Sequence, residues 1–282
     1  MKVNPIVSVV LGTYQRRHFL EAALETIRAE LEGISHQIII VDGGSTDGTI
    51  DFLLKQKDVI LIVQQNRGQW KGSPVIKRSW GYFMNLGFRA SSGKYICMLS
   101  DDCLVIPGAI KNGIKFFDKQ LSMGIKLGSV AFYWRNWPEE IDYRVGITWG
   151  NNMFVNHGLY LNSALNEIGY IDESSYSFYH ADGDLCLRLA DRGYMCRDSF
   201  KSYIEHYSYA NQSIRATNST KQKQDWLTYQ KKWSALGKPK NAWILQSQSD
   251  PLLTFKRFLS IREVRFNFLK FKLKQFIGKY IL

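Results

Sequence analysis

Tyr95-Ile96-Cys97-Met98-Leu99-Ser100-Asp101-Asp102-Cys103-Leu104-Val105-Ile106 reads as an apolar strand that breaks on two adjacent aspartates. Side-by-side carboxylates repel each other, and the end of a buried strand is a poor place for them unless a cation is near. Oxygen ligands of this hardness suit Mg²⁺ or Mn²⁺, and those ions suit a substrate that carries phosphates. The flanking sequence decides whether that corner belongs to a nucleotide site.

Upstream, Ile6-Val7-Ser8-Val9-Val10-Leu11 is a β-branched run that stops at Gly12, as buried parallel strands do. Apolar positions then take helical spacing at Leu20, Ala23, Leu24, Ile27 and Leu31. Gln37–Val41 is a second strand ending in Asp42-Gly43-Gly44, and Ser45-Thr46-Asp47 supplies N-cap chemistry ahead of Ile50, Leu53 and Leu54. Val59–Val63 is a third strand, a helix is expected between Arg78 and Ala90, and Lys94–Leu99 is the fourth strand. Strands alternating with helices predict an α/β fold, a mostly parallel sheet with helices on both faces. Such a sheet binds ligands at the carboxyl ends of its strands. Three polar signals fall at such ends: Gly12-Thr13-Tyr14, Asp42-Gly43-Gly44-Ser45 and Ser100-Asp101-Asp102.

The second half is less regular. Pro107 opens a helix carrying Ile110, Ile114 and Phe117, Ser129–Trp134 reads as a strand, and strand-rich sequence follows from Gly146 to Leu161. Short helices are expected at Ser163–Ile168 and Asp182–Arg192, the second stopped by Gly193, with a last strand at Tyr203–His206. Trp226, Tyr229, Trp233 and Leu236 recur at helical spacing, which reads as a packed helix face.

The chain of 282 residues can bury one sizeable core, and 45% apolar with 22% charged residues exclude a disordered protein. No apolar run reaches the roughly 18 residues that cross a bilayer, and strand-like sequence begins at Ile6 with no signal peptide before it. Cys97, Cys103, Cys186 and Cys196 lack CxxC spacing and read as free thiols of a reducing compartment, so a cytoplasmic protein is expected. The net charge of +12 is uneven: Pro251–Leu282 holds eight Lys/Arg against one acid, Glu263.

At this point the motifs resemble a known family, the inverting family 2 glycosyltransferases of GT-A fold. The matching stretches are Val7–Arg16, Ile40–Thr49, Asn85-Leu86-Gly87, Ser92–Tyr95, Ser100-Asp101-Asp102, Ile168–Glu173 and Asp182–Arg188, in family order. The resemblance covers roughly residues 5 to 210. It implies a GT-A domain over 1–215, with a nucleotide-binding half to about 106 and an acceptor half beyond it, and a helical extension over 216–282.

The resemblance also implies roles. Gly12, Thr13 and Tyr14 line the base pocket of a UDP- or dTDP-sugar, and Asp42 accepts a hydrogen bond from the base imide; the same Asp42 also suits an Asx turn before a helix. Asp101 sits near ribose and metal, while Asp102, last of the Asp-x-Asp position, is the main ligand of Mn²⁺ or Mg²⁺. His206 follows the last strand where the family often carries a histidine that reaches the metal, and Arg78 or Lys77 contacts the diphosphate. Two departures stand out: Met84 replaces the arginine often found before Asn-x-Gly, and Ala181 replaces the glutamate of the family's Glu-Asp pair. Asp182 is left as the base that takes the acceptor hydroxyl's proton, with Asp184 second, at a position where the resemblance implies an orienting or acceptor-binding role. Those departures keep open a non-catalytic sugar- or nucleotide-binding scaffold as the alternative. Trp134, Trp137 and Trp149 suit sugar stacking and core packing alike.

The expected acceptor is a glycan or lipid-linked glycan hydroxyl in bacterial surface polysaccharide assembly. The basic, phenylalanine-rich 251–282 tail suits an anionic membrane surface, peripheral on the inner face of the cell membrane, as well as a packing helix with a solvated face. No nucleic-acid module accompanies its charge.

Overall fold

In β1 (Val7–Thr13), Val7, Val9 and Leu11 point to one face of the sheet and Val10 to the other, so the alternation of a strand buried on both sides is visible in a single element. The computed structural model describes residues 4–66, 68–210, 212–247 and 255–281. After β1 come α1 (Arg17–Leu31), β2 (His36–Asp42), α2 (Thr49–Leu53), β3 (Val59–Val63) and a short hairpin of β4 (Gln69–Trp70) and β5 (Ser73–Pro74). α3 (Trp80–Ala90) leads to β6 (Tyr95–Ser100), β7 (Cys103–Val105) and α4 (Ala109–Ser122). β8 (Leu127–Trp137), β9 (Tyr143–Thr148), β10 (Asn152–Phe154) and β11 (Gly158–Leu161) precede α5 (Asn162–Glu167) and α6 (Ala181–Asp191). The long β12 (Met195–Tyr207), α7 (Gln212–Ser219), α8 (Gln222–Trp233), β13 (Trp243–Gln246) and α9 (Arg262–Ile281) complete the order.

The main sheet runs β10-β9-β8-β11-β6-β1-β2-β3. Its β6-β1-β2-β3 half is parallel, as the alternating pattern predicts, and β11 enters antiparallel between β6 and β8. α1 and α4 cover one face, and α3 and α6 the other. Glu30 of α1, buried, closes that layer by accepting the amides of Gly108 (2.5 Å) and Ile110 (3.0 Å) at the start of α4, where a helix favours a negative charge. Register then does the positioning. Thr13 pairs with Asp42 and Gly12 with Ser100, so the three polar signals emerge side by side at one edge of the sheet.

The helices expected at 163–168 and 182–192 are α5 and α6. The strand expected at 203–206 is the end of a thirteen-residue β12, which runs parallel to β8 through two register shifts and then pairs antiparallel with β7. The sequence gives no sign of that length because the bulges interrupt its alternation. The stretch after 215 is not purely a helical appendage: β13 pairs antiparallel with β9 and returns to the sheet, while Phe255 and Val264 pack with Phe19, Leu104, Trp137 and Tyr207. Of the 251–282 tail, 251–254 and 282 lie outside the described residues.

Candidate active site

The edge where β1, β2 and β6 end opens into a cleft of about 370 Å³. Its floor is Gly12, Thr13, Tyr14, Gly43 and the Ser100-Asp101-Asp102 turn; Arg78 and Lys77 border it, and Trp134, Asn156, His157, Ser177–His180, Asp182 and His206 are part of its wall. Gly12, Thr13, Tyr14, Arg78, Asp101, Asp102, Asp182 and His206, all singled out in the sequence, therefore share one cavity. Asp184 does not line it, and Asp42 lies just behind it.

Asp42 ends β2 fully buried. Its Oδ1 accepts the amides of Gly44 (2.8 Å) and Ser45 (2.7 Å), which is the Asx turn; Oδ2 is buried without a hydrogen-bond partner among the described residues. Burial pushes the carboxyl's pKa up, against the two amides. The turn places Gly44 at φ +89°, and the bare Cα of Gly43 lies against Tyr14, whose ring is 3.1 Å from where a Cβ would stand. One carboxylate thus makes the turn and keeps an acceptor in reserve beside Tyr14.

Asp101 and Asp102 are both buried, 3% and 1% exposed, yet each is occupied. Thr13 Oγ1 donates to Asp101 Oδ2 at 2.8 Å. A residue to which the sequence gave no role, Arg16, bridges the pair: its Nη1 stands 2.8 Å from Asp101 Oδ1 and 2.9 Å from Asp102 Oδ2, and Nη2 donates to the Ala210 carbonyl at 3.2 Å. Burial works against the guanidinium's charge, and the two carboxylates outweigh it and raise its pKa. Burial raises Asp101, Arg16 opposes that, and the Asp102 charge adds to it. The like-charge problem set by the sequence is met by a cation from the first motif of the chain.

The other carboxylate oxygen, Asp102 Oδ1, lies 3.5 Å from His206 Nε2. Asn136 fixes that ring. Its Nδ2 donates to Glu140 Oε1 at 3.1 Å, so its Oδ1 faces His206 Nδ1 at 2.6 Å and accepts a hydrogen bond there, which turns Nε2 toward Asp102. One ligand atom each from Asp102, Cys103 and His206 lie within 4.8 Å of one another, a donor set of oxygen, nitrogen and sulfur that fits a divalent cation. Cys103, read from sequence as a thiol of a reducing compartment, is buried and in no disulfide among the described residues; its Sγ is 3.7 Å from Nε2 of His157. Burial first, then His206, lowers the His157 pKa to about 3, so that imidazole is neutral at any ordinary pH.

On the acceptor side, Asp182 Oδ2 accepts from Asn156 Nδ2 (2.7 Å) and Oδ1 from its neighbour Gly183 N (2.8 Å). Burial pushes its carboxyl up to about 6, outweighing the amide contacts at the start of α6. Asp184 differs in every respect. Fully buried, it accepts from Tyr176 Oη (3.1 Å), Trp233 Nε1 (2.9 Å), Lys232 Nζ (2.8 Å) and Arg188 Nε (2.7 Å). It holds α8 against α6, and no oxygen of it faces the cleft. Sequence reasoning also missed Asp225, a buried α8 carboxylate that accepts the amides of Ser177 (2.8 Å), Phe178 (2.9 Å) and Tyr179 (2.9 Å) and so shapes the wall loop. Of the three tryptophans only Trp134 lines the cleft; Trp137 stacks on Phe268 and Trp149 on Trp226. The pairs Asn156-His157 and Asn136-Glu140 carry no motif; only the β11–β6 pairing, with Gly158 opposite Met98, brings the first beside the aspartates.

A parallel sheet that gathers an Asp-Asp turn, a base-sized pocket and a basic rim at one edge defines the GT-A type of glycosyltransferase fold. The sequence profile of Glycosyl transferase family 2 matches residues 8–158, and the chain belongs to that family. It is 24% identical over 209 residues to the UDP-Glc:alpha-D-GlcNAc-diphosphoundecaprenol beta-1,3-glucosyltransferase WfaP of Escherichia coli, covering 69% of this chain and 74% of that protein. It is 29% identical over 144 residues to the dolichol-phosphate mannosyltransferase of Pyrococcus furiosus, covering 47% of this chain and 36% of that one. The chain spans about a third of the length of the first curated relatives it matches. Among solved structures, the mannosyltransferase PcManGT of Pyrobaculum calidifontis, in complex with GDP-Man and Mn²⁺, superposes with a TM-score of 0.56 at 15% identity, over 80% of this chain and 64% of that one. That likeness is one of fold.

Proposed function

We propose that the protein is a metal-dependent, inverting glycosyltransferase that moves a sugar from a UDP- or dTDP-sugar to a hydroxyl of a glycan or lipid-linked glycan in bacterial surface polysaccharide assembly. The observation that carries this reading is a single cleft holding both the Asp101-Asp102 turn and an Asp182 whose pKa is about 6. A base with that pKa is ionised near neutrality and still basic enough to take a proton from a sugar hydroxyl in the transition state. Asn156 orients its Oδ2, while Oδ1 accepts from the Gly183 amide. That assignment weighs against the non-catalytic alternative in spite of Ala181.

On the donor side, Tyr14 and Gly43 offer a flat pocket for the base, and the reserve oxygen of Asp42 suits an imide N–H, which uracil and thymine carry. Asp102 and His206 would hold the divalent ion, whose chemistry is to neutralise a leaving diphosphate. Lys77 and Arg78 at the rim add fixed positive charge on the same side. The UDP-sugar and the diphospho-lipid acceptor in the name of WfaP, and the Mn²⁺ in that of PcManGT, support the donor, acceptor and metal classes. Free thiols at all four cysteines support a reducing compartment, and we place the enzyme in the cytoplasm, peripheral on the inner membrane face.

The test is donor hydrolysis and transfer with Mn²⁺ for the wild type, Asp102→Ala and Asp182→Ala. Both variants are expected to fold and to lose turnover, with nucleotide binding weakened in the first and kept in the second. Wild-type turnover in both would overturn the assignment.

A further inference from the structure

α9 carries two apolar faces, not one. Val264 is buried, Phe268 stacks on Trp137 with ring centroids 5.3 Å apart, and Asn267 donates to Tyr207 Oη at 2.9 Å, so this side is seated on the body of the protein. The other side is exposed: Phe266, Leu269, Leu273, Phe276 and Ile277 are 56%, 57%, 59%, 61% and 44% exposed. At 100° per residue these five fall within an arc of about 100°, a continuous apolar stripe. Because the seated face is apolar too, the two cancel in a helical wheel, which is why the sequence alone shows no stripe.

Charge says what the stripe meets. Arg265 and Lys272 border it on one side, Lys270 and Lys274 on the other, and the helix's one acid is Glu263 in its first turn. Phe266-Leu269-Leu273-Phe276 has the 3-4-3 spacing of a coiled-coil seam, but the flanking positions that a second copy would oppose are Lys270 and Lys272. Two copies would therefore press like charges together, whereas an anionic surface pairs with all of them. Cations flanking an apolar stripe are the arrangement of a helix lying in a membrane interface. No helix among the described residues is long and apolar enough to cross a membrane.

We propose that the outer face of α9 docks on an anionic lipid bilayer and thereby holds the cleft near the membrane surface. The helix's seated side packs in one cluster with Leu104, two residues beyond Asp102, and with Ala210, whose carbonyl binds Arg16. The seated side of α9 and the chain next to the Asp101-Asp102 turn thus pack in one corner of the fold. This inference rests on the peripheral-membrane part of the proposed function and not on its chemistry.

The experiment is co-sedimentation of the full chain with phosphatidylglycerol/phosphatidylcholine vesicles and with pure phosphatidylcholine vesicles. Light scattering in solution and donor hydrolysis without lipid are measured in parallel. Binding to the anionic vesicles is expected, weakened by salt and absent from the neutral ones. Leu269→Glu with Leu273→Glu, and separately Lys270→Glu with Lys272→Glu and Lys274→Glu, each reduce partitioning at least about tenfold while circular dichroism and lipid-free hydrolysis stay as in wild type. Absence of wild-type binding to anionic vesicles, undiminished binding in both variants, or a wild-type dimer that the leucine variant dissolves would overturn the proposal. Loss of hydrolysis in every sample with vesicle binding intact would instead strike the transfer chemistry alone.

Discussion

Replacing Arg16 by methionine tests how the acidic turn is kept together. The guanidinium touches both carboxylates at 2.8 and 2.9 Å, with side-chain exposures of 13% for Arg16, 4% for Asp101 and 2% for Asp102. Charge centres about 4 Å apart interact by about 4 kcal/mol per pair at an effective dielectric constant near 20, less the desolvation already incurred. Removing one partner of such a buried arrangement costs about 3–5 kcal/mol, because the remaining charges are left uncompensated. The turn also goes from one net negative charge to two. Arg16→Met should therefore lower unfolding free energy by about that much in urea titrations without metal. Added Mn²⁺ should recover more of it than it adds to the wild type, since binding at 100 times the dissociation constant contributes about 2.7 kcal/mol. Arg16→Lys, which keeps the charge but cannot span both carboxylates and Ala210, should fall between. An Arg16→Met protein as stable as wild type, with the same Mn²⁺ affinity by electron paramagnetic titration, would refute the reasoning.

Asp182→Asn should cut turnover by about 10²–10⁴-fold with nucleotide affinity nearly unchanged by calorimetry. In the wild type, kcat/KM should climb as pH rises through about 6, because the ionised form is the base; a limb near pH 4 would show that burial does not raise this carboxyl. The same raised pKa means that the folded state holds a proton the unfolded chain has released, so this group's contribution to stability declines between about pH 4 and 6, a decline that Asp182→Asn should remove from denaturation curves. Asp184→Ala leaves Arg188 and Lys232 facing a buried gap and should destabilise by about 3 kcal/mol, the low end because Lys232 is partly exposed, with donor binding retained in the folded fraction. Asp225→Ala frees three amides of the 177–179 loop and should raise the KM for acceptor several-fold while leaving that for donor unchanged in initial-rate assays.

The donor half was legible because its signals are local. Buried strands, three of them ended by glycine or aspartate signals, give both the sheet and the place where it binds, and Thr13, Asp42 and Asp101 could be assigned to one edge before any register was known. What escaped depends on distant pairing. Arg16 was quoted in a motif, but its reach to Asp101, 85 residues on, requires the β1–β6 pairing. Asn136 orients His206 across 70 residues through the β8–β12 register, with two bulges in between. Asp182 and Asp184 look equivalent in sequence, two residues apart on one helix. Yet a 200° turn of the helix sends one into the cleft and the other under Lys232 and Trp233, and only packing separates them.

That separation falls in the part of the cleft beyond the family match. The family match ends at residue 158, just past Asn156 and His157, and so takes in the nucleotide edge, the aspartate turn and the residue that orients Asp182. The wall beyond is held by further ties. The 177–179 loop hangs on Asp225, α8 is bolted to α6 through Asp184, and Arg16 reaches from the acidic turn to Ala210. The Arg16–Ala210 and Asn156–Asp182 contacts join the matched stretch to the chain after 158, and Asp225 and Asp184 tie that later part together, so the C-terminal elements are a portion of the cleft and not an attachment to it. Changes confined to α8 should therefore alter which acceptor is taken without altering which nucleotide is bound, whereas changes at Thr13, Asp42 or Arg16 should do the reverse.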